Sequence, residues 1–161
     1  MSGVAAILFL VTLASGTSIT YEGIPNNSTL AACQENTDTL NTQLTALQRG
    51  DTFIIPNTTF WVIGGVQAYN LEDVVIQLDG TLKWTEKTDS WPYKSTGRVE
   101  ECWYMAGLHN VTFTSSGSGT LYGNGKSWWG YLSYLEIGEN RPRLFHIYNS
   151  TDLLLENWYF E

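Results

Sequence analysis

The spacing of apolar positions along this chain changes once, near residue 50. Before it, Leu40, Leu44 and Leu47 stand at i, i+4 and i+7, with Asn36-Thr37-Asp38 ahead of them and Gly50 behind. That pattern predicts a short amphipathic helix over about 38–49, N-capped by Thr37 or Asp38 and stopped by Gly50. The preceding Thr20 to Ala32 is polar and reads as turns. After residue 50, apolar residues come in short extended runs: Phe53–Ile55, Phe60–Ile63, Val74–Leu78, Thr81–Trp84, Glu100–Tyr104 and Leu144–Tyr148. They are rich in β-branched and aromatic side chains and punctuated by Gly, Asn, Asp and Pro, which predicts strands.

Three stretches repeat loosely. Leu71-Glu72-Asp73-Val74-Val75-Ile76, Leu108-His109-Asn110-Val111-Thr112-Phe113 and Ser150-Thr151-Asp152-Leu153-Leu154-Leu155 each pass through a turn and an Asp or Asn into apolar residues. Gly-Thr-Leu follows the first two, at Gly80 and Gly119. Recurrence at about 37 and then 42 residues predicts a solenoid whose turns stack, with loops of unequal length between strands. Thr85 to Val99 is the longest interruption and reads as a surface loop. The apolar run from Leu153 to Glu161 has no turn or cap after it, so the expectation is an N-terminal portion of a longer solenoid.

Composition narrows the class. With 43% hydrophobic and 14% aromatic residues, 161 residues suffice for one folded domain. A net charge of −8 argues against nucleic acid or an anionic membrane as partner. It also opposes a polyanionic ligand unless basic groups gather locally. Val4 to Leu13 is an uncharged apolar run followed by Ala14-Ser15-Gly16, so residues 1–18 read as a secretory signal peptide. The run is shorter than the ~20 residues a spanning helix needs. The expected product is a secreted monomer, without a membrane anchor after cleavage. In an oxidising compartment Cys33 and Cys102 are disulfide candidates, with each other or with a cysteine outside this chain. Sequons begin at Asn26, Asn27, Asn57, Asn110 and Asn149. Asn26 and Asn27 overlap, leaving Asn27, Asn57, Asn110 and Asn149 as glycosylation candidates, although Asn110 at a stacked turn also reads as structural. Neither a Cys/His cluster nor a cofactor motif is present, so no metal or cofactor is expected.

The densest signal is Gly119-Thr120-Leu121-Tyr122-Gly123-Asn124-Gly125-Lys126-Ser127-Trp128-Trp129-Gly130-Tyr131. An extended piece runs into a sharp Gly-Asn-Gly turn, and of two adjacent tryptophans only one can face a core, so the other packs under a loop or in a groove. The segment resembles the Gly-x-(Ile/Leu)-x-Gly-x-Gly-x-x-Trp-Trp signature of the polygalacturonase-like enzymes, glycoside hydrolase family 28. Arg141-Pro142-Arg143-Leu144-Phe145 is similar to the same family's Arg-Pro segment. Tyr122 stands where that family usually has Asp, and Asn124 where Gln is common.

The resemblance covers about Cys33 to Phe160. It implies an all-β fold, a right-handed parallel β-helix with a short N-terminal capping helix, incomplete here at its C-terminus. It also implies inverting hydrolysis of a pectic or related polysaccharide outside the cell, in the cell-wall region. Inversion needs one carboxylic acid and one carboxylate ~6.5–9.5 Å apart. The family supplies its chemistry from Asn-x-Asp, Asp-Asp, Gly-His-Gly and Arg-x-Lys downstream of the Arg-Pro segment. None stands there in this chain, so no catalytic residue is assigned and the chain alone is expected to be inactive. Asn36-Thr37-Asp38 matches the first motif by letter but lies far upstream, where helix capping explains it better. Asp51, Asp73, Asp79, Asp89, Glu136 and Asp152 are scattered singly and read as turn or surface acids; His109 and His146 read as structural. Arg141, Arg143 and Lys126 lie near the signature segments and are more readily explained by structural pairing than by a uronate. A non-catalytic β-helical glycan-binding or surface protein is the second reading. A Ca²⁺-dependent polysaccharide lyase is the third, without the carboxylate cluster it needs.

Overall fold

The computed structural model describes residues 16–117, 119–129 and 140–161. In chain order the strands are β1 (Ser18–Thr20), β2 (Thr52–Ile55), β3 (Thr59–Val62), β4 (Val66–Tyr69), β5 (Val75–Leu78), β6 (Thr81–Trp84), β7 (Trp103–Ala106), β8 (His109–Thr114), β9 (Gly119–Tyr122), β10 (Phe145–Tyr148), β11 (Thr151–Leu155) and β12 (Trp158–Phe160). Helix α1 (Leu30–Ala46) precedes β2, and the short α2 (Gly125–Trp129) follows β9.

The strands form three sheets, ordered β1-β2-β5-β8-β11, β3-β6-β9-β12 and β4-β7-β10, and their pairings are parallel. From β2 onward the chain visits the first, second and third sheets in rotation. Largely parallel strands in three sheets with few helices are consistent with the expected parallel β-helix class. Register builds apolar columns along the stack: Phe53, Ile76, Phe113 and Leu155 in the first sheet, Phe60, Leu82, Leu121 and Phe160 in the second. Val66, Trp103 and Phe145 form the third column. Alternate residues of a strand face opposite sides, so one side of each sheet closes the core while the other faces outward with a mixture of polar and aromatic side chains. Phe53, Ile76, Phe113, Leu82, Leu121, Val66 and Trp103 are wholly buried, each side chain stabilising by roughly 1.5–3 kcal/mol.

Helix α1 starts at Leu30, earlier than the expected 38–49, and Thr29 rather than Thr37 or Asp38 is its N-cap, accepting from the Ala32 amide at 3.3 Å. Its chain turns out of the helix at Leu47, ahead of Gly50. The leucine spacing was legible, but the first turns carry Leu30, Ala32 and Cys33 among polar residues, which dilutes the pattern. Asn36 and Thr37 therefore lie inside the helix and do different work. Asn36 donates to Trp61 O (2.8 Å) and Ile24 O (3.0 Å) and accepts from Ile24 N (2.6 Å). The Thr37 hydroxyl bonds both N and O of Ile63 at 3.0 Å, and Asn41 bonds Gly65 O (3.0 Å) and Gln67 N (2.7 Å). Strands β3 and β4 end their sheets on this side, so α1 caps the stack by satisfying edge groups that would otherwise lack partners.

Strands β1 and β4 were not anticipated. Ser-Ile-Thr is short, and Val-Gln-Ala-Tyr carries too few large apolar residues to signal a strand by itself. The expected leader, residues 1–18, has residues 1–15 outside the described residues; Ser18 already pairs with Thr52 in the first sheet, and Thr17 bonds Asp51.

The connection from the third sheet to the first repeats in conformation. Asn70 and Asp73, Gly107 and Asn110, and Asn149 and Asp152 each hold positive φ, between 47° and 69°. These are residue types that tolerate the left-handed region. Asn110 donates to Asp73 Oδ1 at 2.6 Å, tying one layer to the next. The first-to-second connection instead depends on close approach: a Cβ on Gly80 would lie 2.2 Å from Thr58 O, and one on Gly119 2.0 Å from Leu78 O.

Candidate functional site

The second-to-third connections are the irregular ones: residues 63–65, then 85–102, then 123–144. The first long one does not simply project. It makes a 3-10 turn at Thr88–Ser90 and a narrow antiparallel bridge between Tyr93 and Val99. Trp91 turns inward, only 2% exposed, its indole N–H donating to Glu100 O at 2.8 Å. Gly64 makes room, since a Cβ there would meet the Trp91 indole nitrogen at 2.2 Å. The signature segment completes the joint: Trp128, 4% exposed, packs edge-on against Trp91 with ring centroids 5.1 Å apart. Asn124, at φ 49°, donates to Trp84 O, so the Gly-Asn-Gly turn is held to the second sheet. Gly130, Tyr131 and Glu136 lie outside the described residues.

The long connections meet. Asn140 Oδ1 accepts from Val99 N at 2.9 Å, Asn140 Nδ2 donates to Gly97 O at 3.3 Å, and Cys102 N donates to Arg143 O at 2.8 Å. Between them opens a cavity of about 490 Å³ whose described lining includes Arg98, Cys102, Trp128, Arg141, Arg143 and Glu161. Both signature segments contribute to it. Just beyond, Glu101 Oε1 accepts from Lys94 Nζ at 3.0 Å and faces His146 Nδ1 at 3.1 Å; Arg143 Nη1 lies 3.4 Å from the His146 ring. Lys94, Arg98, Arg141 and Arg143, four of the chain's eight lysines and arginines, thus gather around one region of a net acidic protein. Lys126 lines a neighbouring depression with Tyr122 and Glu86.

Electrostatics sets what this region can do. Burial alone would raise the Glu101 carboxyl, but the bonds from Lys94 and His146, the Lys94 charge and the Arg143 amide outweigh it and hold it below its usual range. A general acid needs the opposite shift. Glu101 therefore stays ionised and orders the basic groups; the arrangement is suited to binding. Burial pushes both Cys33 and Cys102 thiols up, so neither is an activated nucleophile. Both are free and buried, Cys33 on the capping helix and Cys102 at the mouth of β7; the disulfide between them is not formed.

Other candidates find local roles. His109 Nδ1 lies 2.8 Å from Thr151 Oγ1 and 3.4 Å from Asp152 Oδ2, a link between layers. Asp51 receives the Thr17 and Gln48 amides, and Asp79 the Ser116 amide and Gln77 side chain, as turn acids do. Of the sequon asparagines, Asn27 accepts from Thr29 N (3.0 Å), Asn110 is bonded to Asp73, Asn149 sits at φ 47°, and Asn57 is exposed in the turn after β2. Sequence reading missed Lys94, Glu101 and Tyr104. Glu101 and His146 are 45 residues apart, and only the stacking of layers brings them together. Among the described residues no metal-ligating cluster occurs, and no helix is long and apolar enough to cross a membrane.

No family model matches the chain, and no solved structure gives a significant match. Among curated proteins it is similar to the alpha-L-rhamnosidase rgxB of Aspergillus niger, 28% identical over 103 residues, covering 62% of this chain and 24% of that enzyme. The likeness is to a glycoside hydrolase, a carbohydrate-active enzyme, and the matched stretch spans about a quarter of its length.

Proposed function

We propose that this chain forms the N-terminal turns of the right-handed parallel β-helix of a secreted polygalacturonase-like glycoside hydrolase, family 28. The parent protein acts by inverting hydrolysis on pectic or related polysaccharide, and this portion binds glycan without cleaving it. The observation that carries the reading is the shared cavity. The Gly123–Trp128 and Arg141–Leu144 segments, which bear the family resemblance, line it together, and basic groups concentrate beside it. Local positive charge offsets the global −8 and suits a uronate carboxylate, which arginine meets through paired, charge-assisted bonds. The distant likeness to a rhamnosidase supports a carbohydrate-active parent. Further turns are part of the proposal: Ile147, Leu155 and Phe160 continue inward columns yet stand 36, 44 and 46% exposed.

Two measurements test this. Affinity electrophoresis of the chain against homogalacturonan and rhamnogalacturonan, with a reducing-end assay, should show retardation and no release. Released reducing ends would remove the non-catalytic claim, and absence of retardation by either polymer would remove the glycan reading. Sequencing the transcript past the codon for Glu161 decides the parent. An open frame entering Asn-x-Asp, Asp-Asp, Gly-His-Gly and Arg-x-Lys makes a hydrolase. A stop leaves the second reading, a non-catalytic glycan-binding protein, which the paired state of Glu101 favours.

A further inference from the structure

The sequon asparagines fall at three kinds of place in the fold, and their side chains are used differently in each. Asn26 and Asn27 stand ahead of the capping helix. Asn26 Nδ2 donates to Thr58 Oγ1 at 3.3 Å, and the half-buried Asn27 accepts from the amide of Thr29, the N-cap of α1. Asn110 and Asn149 belong to the repeated corner from the third sheet to the first, at φ 52° and 47°. Side chains of that corner run along the stack. Asn110 Nδ2 is bonded to Asp73, and Asn70 Oδ1 fills the space over Gly107, where a Cβ would collide with it. Asn149 holds the Asn70 position in a later circuit. The hydroxyls of its sequon are tied to the neighbouring layer: Ser150 Oγ accepts from Leu108 N at 3.0 Å, and Thr151 Oγ1 lies 2.8 Å from His109 Nδ1. Layers are ~4.8 Å apart, a spacing these side chains already fill.

Asn57-Thr58-Thr59 lies elsewhere, in the first-to-second corner between β2 and β3. The Thr58 amide donates to Pro56 O at 2.7 Å, which closes a tight turn with Asn57 at its tip. The turn is clamped on both sides. Toward the cap, Asn26 holds the Thr58 hydroxyl, and its amide donates to Thr59 O at 2.8 Å. Toward the next layer, Gly80 admits the Pro56 and Thr58 carbonyls, and Thr81 N donates to Thr58 O at 2.9 Å. The backbone is thus spent on its neighbours, and the Asn57 side chain stands exposed at the tip. Thr59, two residues on, falls in the outward column with Thr81 and Thr120, opposite in direction to the buried Phe60.

We infer that Asn57 is the N-glycosylation site of this chain, and that packing takes up the other sequons. The acceptor is the Asn57 amide nitrogen, and the donor is an oligosaccharide linked to a polyprenyl pyrophosphate. A bond forms between that nitrogen and the anomeric carbon of the first sugar. The bond from that carbon to the pyrophosphate oxygen breaks, the amide gives up one proton and the lipid pyrophosphate leaves. Thr59 supplies the hydroxyl that completes the sequon. A bulky, hydrated group is accommodated at a surface tip and not between stacked layers. The inference rests on the secreted part of the reading above.

The test expresses the full chain in a eukaryotic secretory host behind its own residues 1–18 and, in parallel, behind an unrelated cleavable leader. Intact mass before and after endoglycosidase treatment counts the oligosaccharides, and peptide mapping places them. We expect one oligosaccharide, on Asn57, absent from both Asn57→Gln and Thr59→Ala, the second of which keeps the asparagine. Release should proceed without denaturant; release only after denaturation would overturn the exposed placement. An oligosaccharide mapped to Asn26, Asn27, Asn110 or Asn149 would overturn the selection by packing. A chain left unmodified behind the unrelated leader would overturn the site itself. Modification behind that leader but not behind residues 1–18 would keep the site and overturn the secreted reading.

Discussion

Two sets of connections run along the same stack and are built on opposite principles. From the third sheet to the first, each circuit uses a four-residue corner with left-handed backbone at its first and last positions, and side chains bond to their counterparts in the next layer. From the second sheet to the third, no two circuits agree in length or sequence, and the insertions fold on one another around a cavity. Repetition there would gain nothing, since a loop that leaves the stack is released from its register. The repeated corner keeps the sheets in phase, and the variable corner is free to specialise. One corner is held by stacking layer on layer, the other by tertiary contacts of its own.

The largest expected effect tests whether the variable corner is anchored by a core of its own. Trp91→Ala removes an indole that fills the space over Gly64, packs on Trp128 and closes a bond to Glu100. We expect a loss of about 3–5 kcal/mol in urea denaturation, as for other buried large aromatics truncated to alanine. A loss below about 1 kcal/mol would mean that loop 85–102 is only laid against the body. If the proposed glycan binding holds, the same variant should weaken it, because Trp91 packs on Trp128 in the cavity wall.

Charge at the same corner gives the next effect. Removing Glu101, as Glu101→Ala, strands Lys94 and His146 beside each other and should cost about 2 kcal/mol. The pH dependence has a defined sign. The Glu101 carboxyl is depressed in the folded state, so its contribution is present above the unfolded value of about 4.3. It is lost as pH falls through the folded value. Thermal melts of the parent should therefore fall below about pH 4 more steeply than those of Glu101→Gln. Parallel curves would show that Glu101 is not the group that titrates.

How much of this was legible in the sequence follows from the same contrast. The repeated corner announced itself, because three Asp or Asn positions at 73, 110 and 152 precede apolar runs that became β5, β8 and β11. Glycines 80 and 119 were visible as a repeat, although what they admit, a carbonyl from the layer below, was not. The variable corner gave only its signature residues. Trp91 as an anchor, and Glu101 as the partner of Lys94 and His146, depend on contacts across layers that no local pattern encodes. Asn36-Thr37 illustrates the limit from the other side: the letters suggest a catalytic motif or a helix cap, and their use is to close a sheet edge.

The mildest test addresses the repeated corner itself. Asn110 has φ 52° and a side chain bonded to Asp73, which stands at φ 53° one layer below. Two effects are combined there, backbone tolerance and the bond between layers, and two substitutions separate them. Asn110→Ala loses both and places a Cβ-bearing, non-bonding residue in the left-handed region, at about 1–2 kcal/mol for the backbone alone. Asn110→Gly keeps the conformation at no steric cost, loses an exposed bond and adds the freedom of a glycine to the unfolded chain, so a smaller loss than for Asn110→Ala is expected. The Asn110 bond, partly opposed by desolvation and aided by Arg49, holds the Asp73 carboxyl below its usual range. Both variants should therefore raise the Asp73 titration midpoint, read by NMR, to the same degree although their stabilities differ. Equal stabilities would mean that the bond matters and the backbone does not, and the corner would be a ladder of side chains instead of a conformational device.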